Sequence, residues 1–303
     1  MRIWIYFFAV FVLLSGCAKL SEEQRAKKAQ EYFQSALRNF KEGDYGDAAS
    51  DLEMALKFMD HLTPKQIERA KFLLGKSYYL DGDYVNAIVA LEDFIFYYPR
   101  LRTSEEAYYL LVDSYIKVSP DPHRDQTYTW KAIEKAREFL SRYPGSEYAD
   151  RMPDLIDEAY RKIAKHDYYI ARFYEKYGYT YSAAVRYREL LINFAKYIPE
   201  EEVAYRYIRS LLLVDRQVEK EVSRIRSLIK ETHEKLEETK GEDRKFVKKR
   251  LEFLKKEVKR WEEIREKAYG EAFEALKKFR EVYGVSSYFK ELEELAREKG
   301  WKS

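Results

Sequence analysis

Apolar residues recur along most of the chain with a helical period, and one stretch shows the repeating unit most fully. Between Lys71 and Pro99 (KFLLGKSYYLDGDYVNAIVALEDFIFYYP) they fall at steps of three and four on both sides of Gly82-Asp83. This predicts two helices joined by a tight turn. The first carries Leu74, Gly75 and Tyr78; the second carries Ala87, Leu91 and Phe94 and stops at Pro99. Small residues at Gly75 and Ala87 let the helices approach closely, and aromatic side chains fill the space around them. One such pair cannot bury its apolar face alone, so it should recur.

Tyr32 to Leu56 is a second copy, with Ala36 in the place of Gly75, then Gly43-Asp44-Tyr45, Ala48, Leu52 and Ala55. Glu105 to Pro144 is another, with Val112 and Tyr115 on its first helix and Ala132, Ala136 and Phe139 on its second. Its turn is stretched into SPDPHRDQ, where Pro120 and Pro122 forbid a continuous helix. The second helices share a signature, Ala-x6-Phe-x3-Tyr followed by Pro or Gly. It stands at Ala87-Phe94-Tyr98-Pro99, Ala132-Phe139-Tyr143-Pro144 and Ala272-Phe279-Tyr283-Gly284, with weaker forms at Ala48-Ala55-Met59 and Ala183-Leu190-Phe194. Steps of seven and four put the three side chains on one helical face, and Pro or Gly ends the helix. The fourth copy takes its first helix from Ile163 to Tyr177 and turns at Gly178.

The fifth copy is split. Its first helix reads Glu201 to Leu213 and its second Ala268 to Tyr283. Between them a heptad runs through Val218, Val222, Ile225, Ile229, Thr232, Leu236 and Thr239. It resumes after Gly241 at Val247, Leu251, Leu254, Val258, Trp261, Arg265, Ala268, Ala272, Ala275, Phe279 and Val282. Two such runs around one glycine predict an antiparallel coiled-coil hairpin, each leg roughly 33 Å long at 1.5 Å per residue, into which both helices of the repeat extend. Asp215 and Arg265 break the apolar seam at matching heights and are expected to pair at the base of this arm. Residues 216–260 hold 16 basic and 10 acidic side chains, so the arm is basic while the rest of the chain is slightly acidic. A last helix, Ser287 to Lys299, is expected to cap the array.

Composition narrows the class. Few glycines and prolines and no alternating β-branched runs leave no room for a sheet, so the fold is all-α: a superhelical array of about five helix pairs with a protruding antiparallel coiled-coil arm in the last. A formal net charge of +3 over 303 residues gives no bulk argument for nucleic acid. The sequence has no phosphate loop, no His-Glu-x-x-His and no cysteine pair. His61, His123, His166 and His233 have no spacing that would bring two to one helical face. No enzyme, metal or other cofactor is called for.

The first seventeen residues read MRIWIYFFAVFVLLSGC, a basic start and a short apolar run ending at the only cysteine of the chain. Twelve apolar residues from Ile3 to Leu14 are too few to span a bilayer but suit a secretory signal. Leu14-Ser15-Gly16-Cys17 resembles the lipobox of bacterial lipoproteins, in which cleavage leaves the cysteine as an acylated N-terminus. That resemblance implies lipidation at Cys17, and Ala18, which is not an inner-membrane aspartate, implies an outer-membrane address. The division expected is therefore 1–16 signal peptide, 17–215 repeats one to four with the first helix of repeat five, 216–260 arm, and 261–303 second helix of repeat five with the capping helix.

The helix-pair spacing, the Gly-Asp-Tyr turn and the closing proline resemble the tetratricopeptide repeat, whose first helices line a concave face. Mapped onto this chain, that face holds Phe33, Leu37 and Phe40, then Arg69, Phe72, Lys76 and Tyr79, then Tyr109 and Asp113. An aromatic trough with an Arg and a Lys suits an extended peptide with aromatic side chains and a C-terminal carboxylate. The same aromatics would also serve as core between repeats. The lipobox, the F-x-x-x-Y-P endings and the stretch Tyr148 to Tyr174, with Arg161-Lys162-Ile163-Ala164-Lys165-His166, together resemble the BamD (ComL/YfiO) family of lipoproteins over roughly 14–215 and, less closely, 262–300. The resemblance implies a subunit of the outer-membrane β-barrel assembly machinery. Its N-terminal repeats would receive the C-terminal signals of unfolded outer-membrane protein precursors, and its C-terminal repeats would dock the periplasmic domains of the barrel subunit, BamA. The arm departs from that pattern. A pilotin for a secretin, or a cell-envelope adaptor lipoprotein, would show the same repeats.

Overall fold

The computed structural model describes residues 20–302, so Cys17 and the segment before it lie outside the described residues. Among these residues there are twelve α-helices and no strand. The chain divides into two compact units, residues up to 119 with 127–157, and residues 120–126 with 158–302.

The first unit holds α1 (Glu22–Glu42), α2 (Tyr45–Lys57), α3 (Pro64–Asp81), α4 (Tyr84–Tyr97), α5 (Arg102–Val118) and α6 (Thr127–Arg142), and α7 (Met152–Lys176) begins in it. Local chemistry sets the boundaries. Ser21 and Thr63 close capping boxes with Gln24 and Gln66, and Pro64 occupies the first turn where its missing N–H costs nothing. Gly43 and Gly82 end α1 and α3 with φ of +93° and +85°, conformations a side chain would strain. Asp44 and Asp83 then take nearly the same backbone angles, so the first two copies turn identically.

Packing follows the signature. Ala87 and Phe94, Ala132 and Phe139, Ala183 and Leu190, and Ala272 and Phe279 are all buried. The closing tyrosine leans on the phenylalanine ring each time, with centroids at 5.3 Å for Phe94–Tyr98, 5.4 Å for Phe139–Tyr143 and 4.8 Å for Phe279–Tyr283. Gly75 sits so close to α4 that an added Cβ would lie 2.7 Å from both Cγ and Cδ2 of Leu91 and 3.3 Å from the Leu91 backbone nitrogen.

The second unit holds the rest of α7, α8 (Thr180–Asn193), α9 (Glu200–Leu212), α10 (Asp215–Glu238), α11 (Asp243–Tyr283) and α12 (Ser287–Glu298). Legs α10 and α11 form the antiparallel arm, with Val218, Val222, Ile225, Thr232, Leu251 and Leu254 buried in its seam. Three details differ from what the sequence predicts. Helix α9 stops at Leu212 and α10 starts afresh at Asp215, so only α11, 41 residues and roughly 60 Å long, runs unbroken from arm to repeat. Beyond Ala272 the buried positions are Leu276 and Phe279, whereas Val282 is 68 % exposed, because this end of α11 packs against α9 and α12 and its inner face turns away from the coiled-coil seam. Asp215 is held by Lys299 at 2.7 Å and by the Tyr269 hydroxyl, while the closest ion-pair contact of Arg265 is Glu266 at 3.6 Å. Helix α12 brings Lys299 to a place no local pattern could reveal. Burial works to raise the Asp215 carboxyl, but the bonds from Lys299 and Tyr269, with Arg265 contributing at longer range, hold it below the usual carboxylate range.

Candidate partner-binding faces

In the first unit, neighbouring first helices are tied to each other by polar side chains. Gln66 Nε2 donates to Gln30 Oε1 at 2.8 Å between α1 and α3. Between α3 and α5, Lys76 Nζ meets Glu106 Oε1 at 2.7 Å and the Tyr79 hydroxyl donates to Asp113 Oδ2 at 2.7 Å. Burial first, and then the bond to Asp113, push the Tyr79 hydroxyl well above its ordinary range, so it remains a donor at any physiological pH. Tyr109 lies against Tyr148 at 5.4 Å, and the Arg151 guanidinium covers both rings at 5.5 and 5.7 Å. Arg69 is exposed.

The nine residues expected to line this face do not all reach it. Phe33 and Phe72 are 3 % and 8 % exposed, Phe33 in the α1–α3 core and Phe72 against Phe94 at 5.4 Å. Leu37 packs partly on the same α1–α3 core, and Phe40 meets Tyr45 edge-on at 5.5 Å. Asp113 is buried under Tyr79. Phe33, Phe72 and Asp113 are thus withdrawn from the face, while Leu37 and Phe40 stay half-buried. Lys76, Tyr79 and Tyr109 are also half-buried and Arg69 is exposed; the structure adds Arg151 to make a polar strip. Phe72 supports the strip from below, with Lys76 Nζ 5.8 Å from its ring. The face therefore keeps rings at Phe40, Tyr79 and Tyr109 but is more polar than an aromatic trough, with Arg69 and Arg151 as its exposed cations.

The second unit carries a different arrangement. Arg206 Nε bonds Glu202 at 2.8 Å and its guanidinium reaches Glu175 at 3.2 Å. Glu175 also accepts the Tyr187 hydroxyl at 2.7 Å and lies 3.5 Å from Arg209. Beside this hub is a recess of about 320 Å³ lined by Arg172, Lys176, Arg209 and Arg216 around the single carboxylate Glu175. The Ser210 hydroxyl in its wall is buried without a hydrogen-bond partner. Four cations around one carboxylate that already serves three arginines leave a positive recess, suited to an acidic group.

Across both units, tyrosine hydroxyls donate to carboxylates on adjacent helices, at 2.7 Å for Tyr108–Glu138, Tyr115–Glu92 and Tyr205–Glu291 and at 2.6 Å for Tyr78–Glu53. Reasoning from the sequence missed these ties. The only signal for them was the composition, 28 tyrosines against 17 phenylalanines, an excess of hydroxyls that burial obliges to find acceptors.

Comparison with known proteins places this architecture. A family model described as YfiO, outer membrane lipoprotein, matches residues 25–225. A putative outer membrane protein assembly factor BamD of Aquifex aeolicus is 51 % identical over 293 residues, covering 96 % of this chain and 95 % of the relative. The chain belongs to the YfiO/BamD family. Two further members, the outer membrane protein assembly factors BamD of Caulobacter vibrioides and Rickettsia prowazekii, are 28 % and 26 % identical over 146 and 157 residues, each about half of this chain. They cover 48 % and 62 % of those relatives. The YfiO match takes in the helix pairs up to the first turns of α10 and stops short of the arm tip. The Aquifex alignment is too long to omit the arm.

Proposed function

We propose that the chain is the scaffold subunit of an outer-membrane β-barrel assembly machinery, anchored by acyl groups at Cys17 and facing the periplasm. In this reading the inner face of the first unit receives the C-terminal signals of unfolded outer-membrane protein precursors, and the second unit docks a BamA-like barrel subunit. The observation that carries it is the polar strip of Arg69, Lys76, Tyr79, Tyr109 and Arg151 on a member of the YfiO/BamD family. An extended peptide ending in an aromatic residue and a carboxylate would set its ring against Tyr79 or Tyr109 and its terminal charge on Arg69 or Lys76. The positive recess around Arg172 and Arg216 would accept an acidic side chain of the barrel subunit.

A labelled β-strand peptide ending in Phe-COO⁻ tests the first unit by fluorescence anisotropy. Arg69→Gln with Lys76→Gln should weaken it roughly tenfold or more, since each charge-assisted bond contributes about 1.5–3 kcal/mol. Amidating the peptide terminus should cost as much in the parent and little in the variant, and unchanged affinity in both would remove the groove. Phe72 is no use as a probe, because truncating a ring buried to this extent costs about 3–5 kcal/mol in stability. Affinity isolation of the lipidated protein from its own membranes tests the second unit. A barrel-assembly subunit should come down with it; recovery of a secretin instead would overturn the assignment.

A further inference from the structure

The tip of the arm, residues 240–256, is a part of the molecule that neither proposed face uses. It holds eight basic and three acidic side chains. Glu242 is taken by Lys245 at 2.8 Å, and Arg244 closes the turn by donating to the carbonyls of Leu236 and Thr239 at 3.0 and 3.3 Å. Lys248, Lys249, Arg250, Lys255 and Lys256 make no ion pair among the described residues. On the same turns of α11, Leu251 and Leu254 point into the seam, each 7 % exposed, whereas Phe246 and Phe253 point out, 68 % and 60 % exposed. The two phenylalanines are seven positions apart, so they stand two turns apart on one face, with Lys249, Arg250 and Lys256 beside them.

A merely solvated helix surface carries mixed charges, and single exposed rings are ordinary on it; two rings on one face within a field of one sign are not. Here two uncovered aromatic rings sit within a field of unpaired cations at the end of a helical hairpin. That combination suits a boundary that is apolar below and anionic above: the rings enter the headgroup–acyl boundary while the long basic side chains stay at the phosphate level. A purely charged surface would match the cations but would leave the rings uncovered.

We propose that the arm tip is a second membrane contact, docking Phe246 and Phe253 into an anionic lipid surface under the five unpaired cations. The contact is independent of the acyl anchor, and together they would fix the height of the second unit above the bilayer.

The chain from Ala18 onward isolates this contact, because residues 20–302 contain the cores of both units. It should co-sediment with vesicles of phosphatidylcholine mixed with phosphatidylglycerol, not with phosphatidylcholine alone, and release in high salt. Lys248→Glu with Lys249→Glu and Lys256→Glu should abolish binding. Phe246→Ser with Phe253→Ser should weaken it about tenfold with helicity unchanged. Reversal of three exposed lysines elsewhere, Lys41, Lys65 and Lys117, should leave it intact. Phe253→Cys gives a unique thiol in this chain, and an environment-sensitive dye there should shift to shorter wavelength on anionic vesicles. Equal binding to neutral vesicles, binding that survives the tip reversals, or an unshifted dye on bound vesicles overturns the proposal. So does a tip that retains RNA but not vesicles.

Discussion

Gly75→Leu should unfold the first unit or leave it a loose helical state, with a loss on the order of 4 kcal/mol or more. The first methyl group already decides the sign. Replacing a mid-helix glycine with alanine gains about 1 kcal/mol of helix propensity, but the new Cβ of Gly75→Ala would lie 2.7 Å from two carbons of the Leu91 side chain. Leu91 is itself fully buried and cannot swing away. Overpacking of this kind costs about 1–3 kcal/mol, so alanine alone should be mildly destabilising. Leucine adds three more carbons beyond a Cβ that already lies 3.3 Å from the Leu91 backbone nitrogen of α4. Urea unfolding of Gly75→Ala, Leu91→Ala and the double variant checks the cause. The double variant should be more stable than the sum of the two losses predicts, because truncating Leu91 opens room for the new methyl group. Strict additivity would mean that Gly75 matters for some other reason.

The same glycine shows what the sequence could and could not reveal. Gly75 and Ala87 were legible as contact points because small residues recurring at a helical period mark where two helix backbones come close. The Ala-Phe-Tyr ending was legible for a similar reason, since the residues that meet lie on one helix. Legibility fails where the partner comes from far along the chain. Phe33 and Phe72 have the spacing of an inner face, but Phe33 is buried in the α1–α3 core and Phe72 is turned onto Phe94 of its own pair. No pattern within one helix records which helix covers a ring. Arg151, which joins the polar strip, comes from a short turn after α6 that carries no repeat signature. Lys299 reaches Asp215 across 84 residues. Leu276 replaces Ala275 because α11 changes partners part-way along, from the other leg of the arm to α9 and α12. The periodic half of the fold is thus local information; the polar half, which builds the faces, is tertiary.

Arg206→Ala should cost about 3 kcal/mol at neutral pH, and the loss should shrink as the solution is acidified. Arg206 is 19 % exposed and joins two carboxylates, Glu175 at 16 % and Glu202 at 30 % exposure. Burial tends to raise Glu202, but the bonds from Arg206 and Tyr168 overcome it and hold the carboxyl below its usual range. A carboxylate depressed in the folded state contributes stability that is present above its unfolded pKa and disappears as pH falls through the lower folded value. Without Arg206 much of that depression goes, and the Tyr168 hydroxyl and the more distant Arg172 are left to oppose burial. The variant therefore suffers most where Glu202 is ionised, and protonation relieves it. Plotted against pH, the gap between parent and Arg206→Ala should be widest near pH 7 and narrow below the ordinary carboxylate range of about 4. A gap independent of pH would show that Arg206 acts through the packing of its aliphatic stem alone. Glu202→Gln separates the terms further. In the parent it removes the acceptor of a charged bond and should destabilise. In the Arg206→Ala background it removes a half-buried charge held only by the Tyr168 hydroxyl and the more distant Arg172, and should stabilise. A change of sign between the two backgrounds would identify Arg206 as the group that makes the acidic cluster of α7 and α9 tolerable, and so as the support on which the neighbouring basic recess is built.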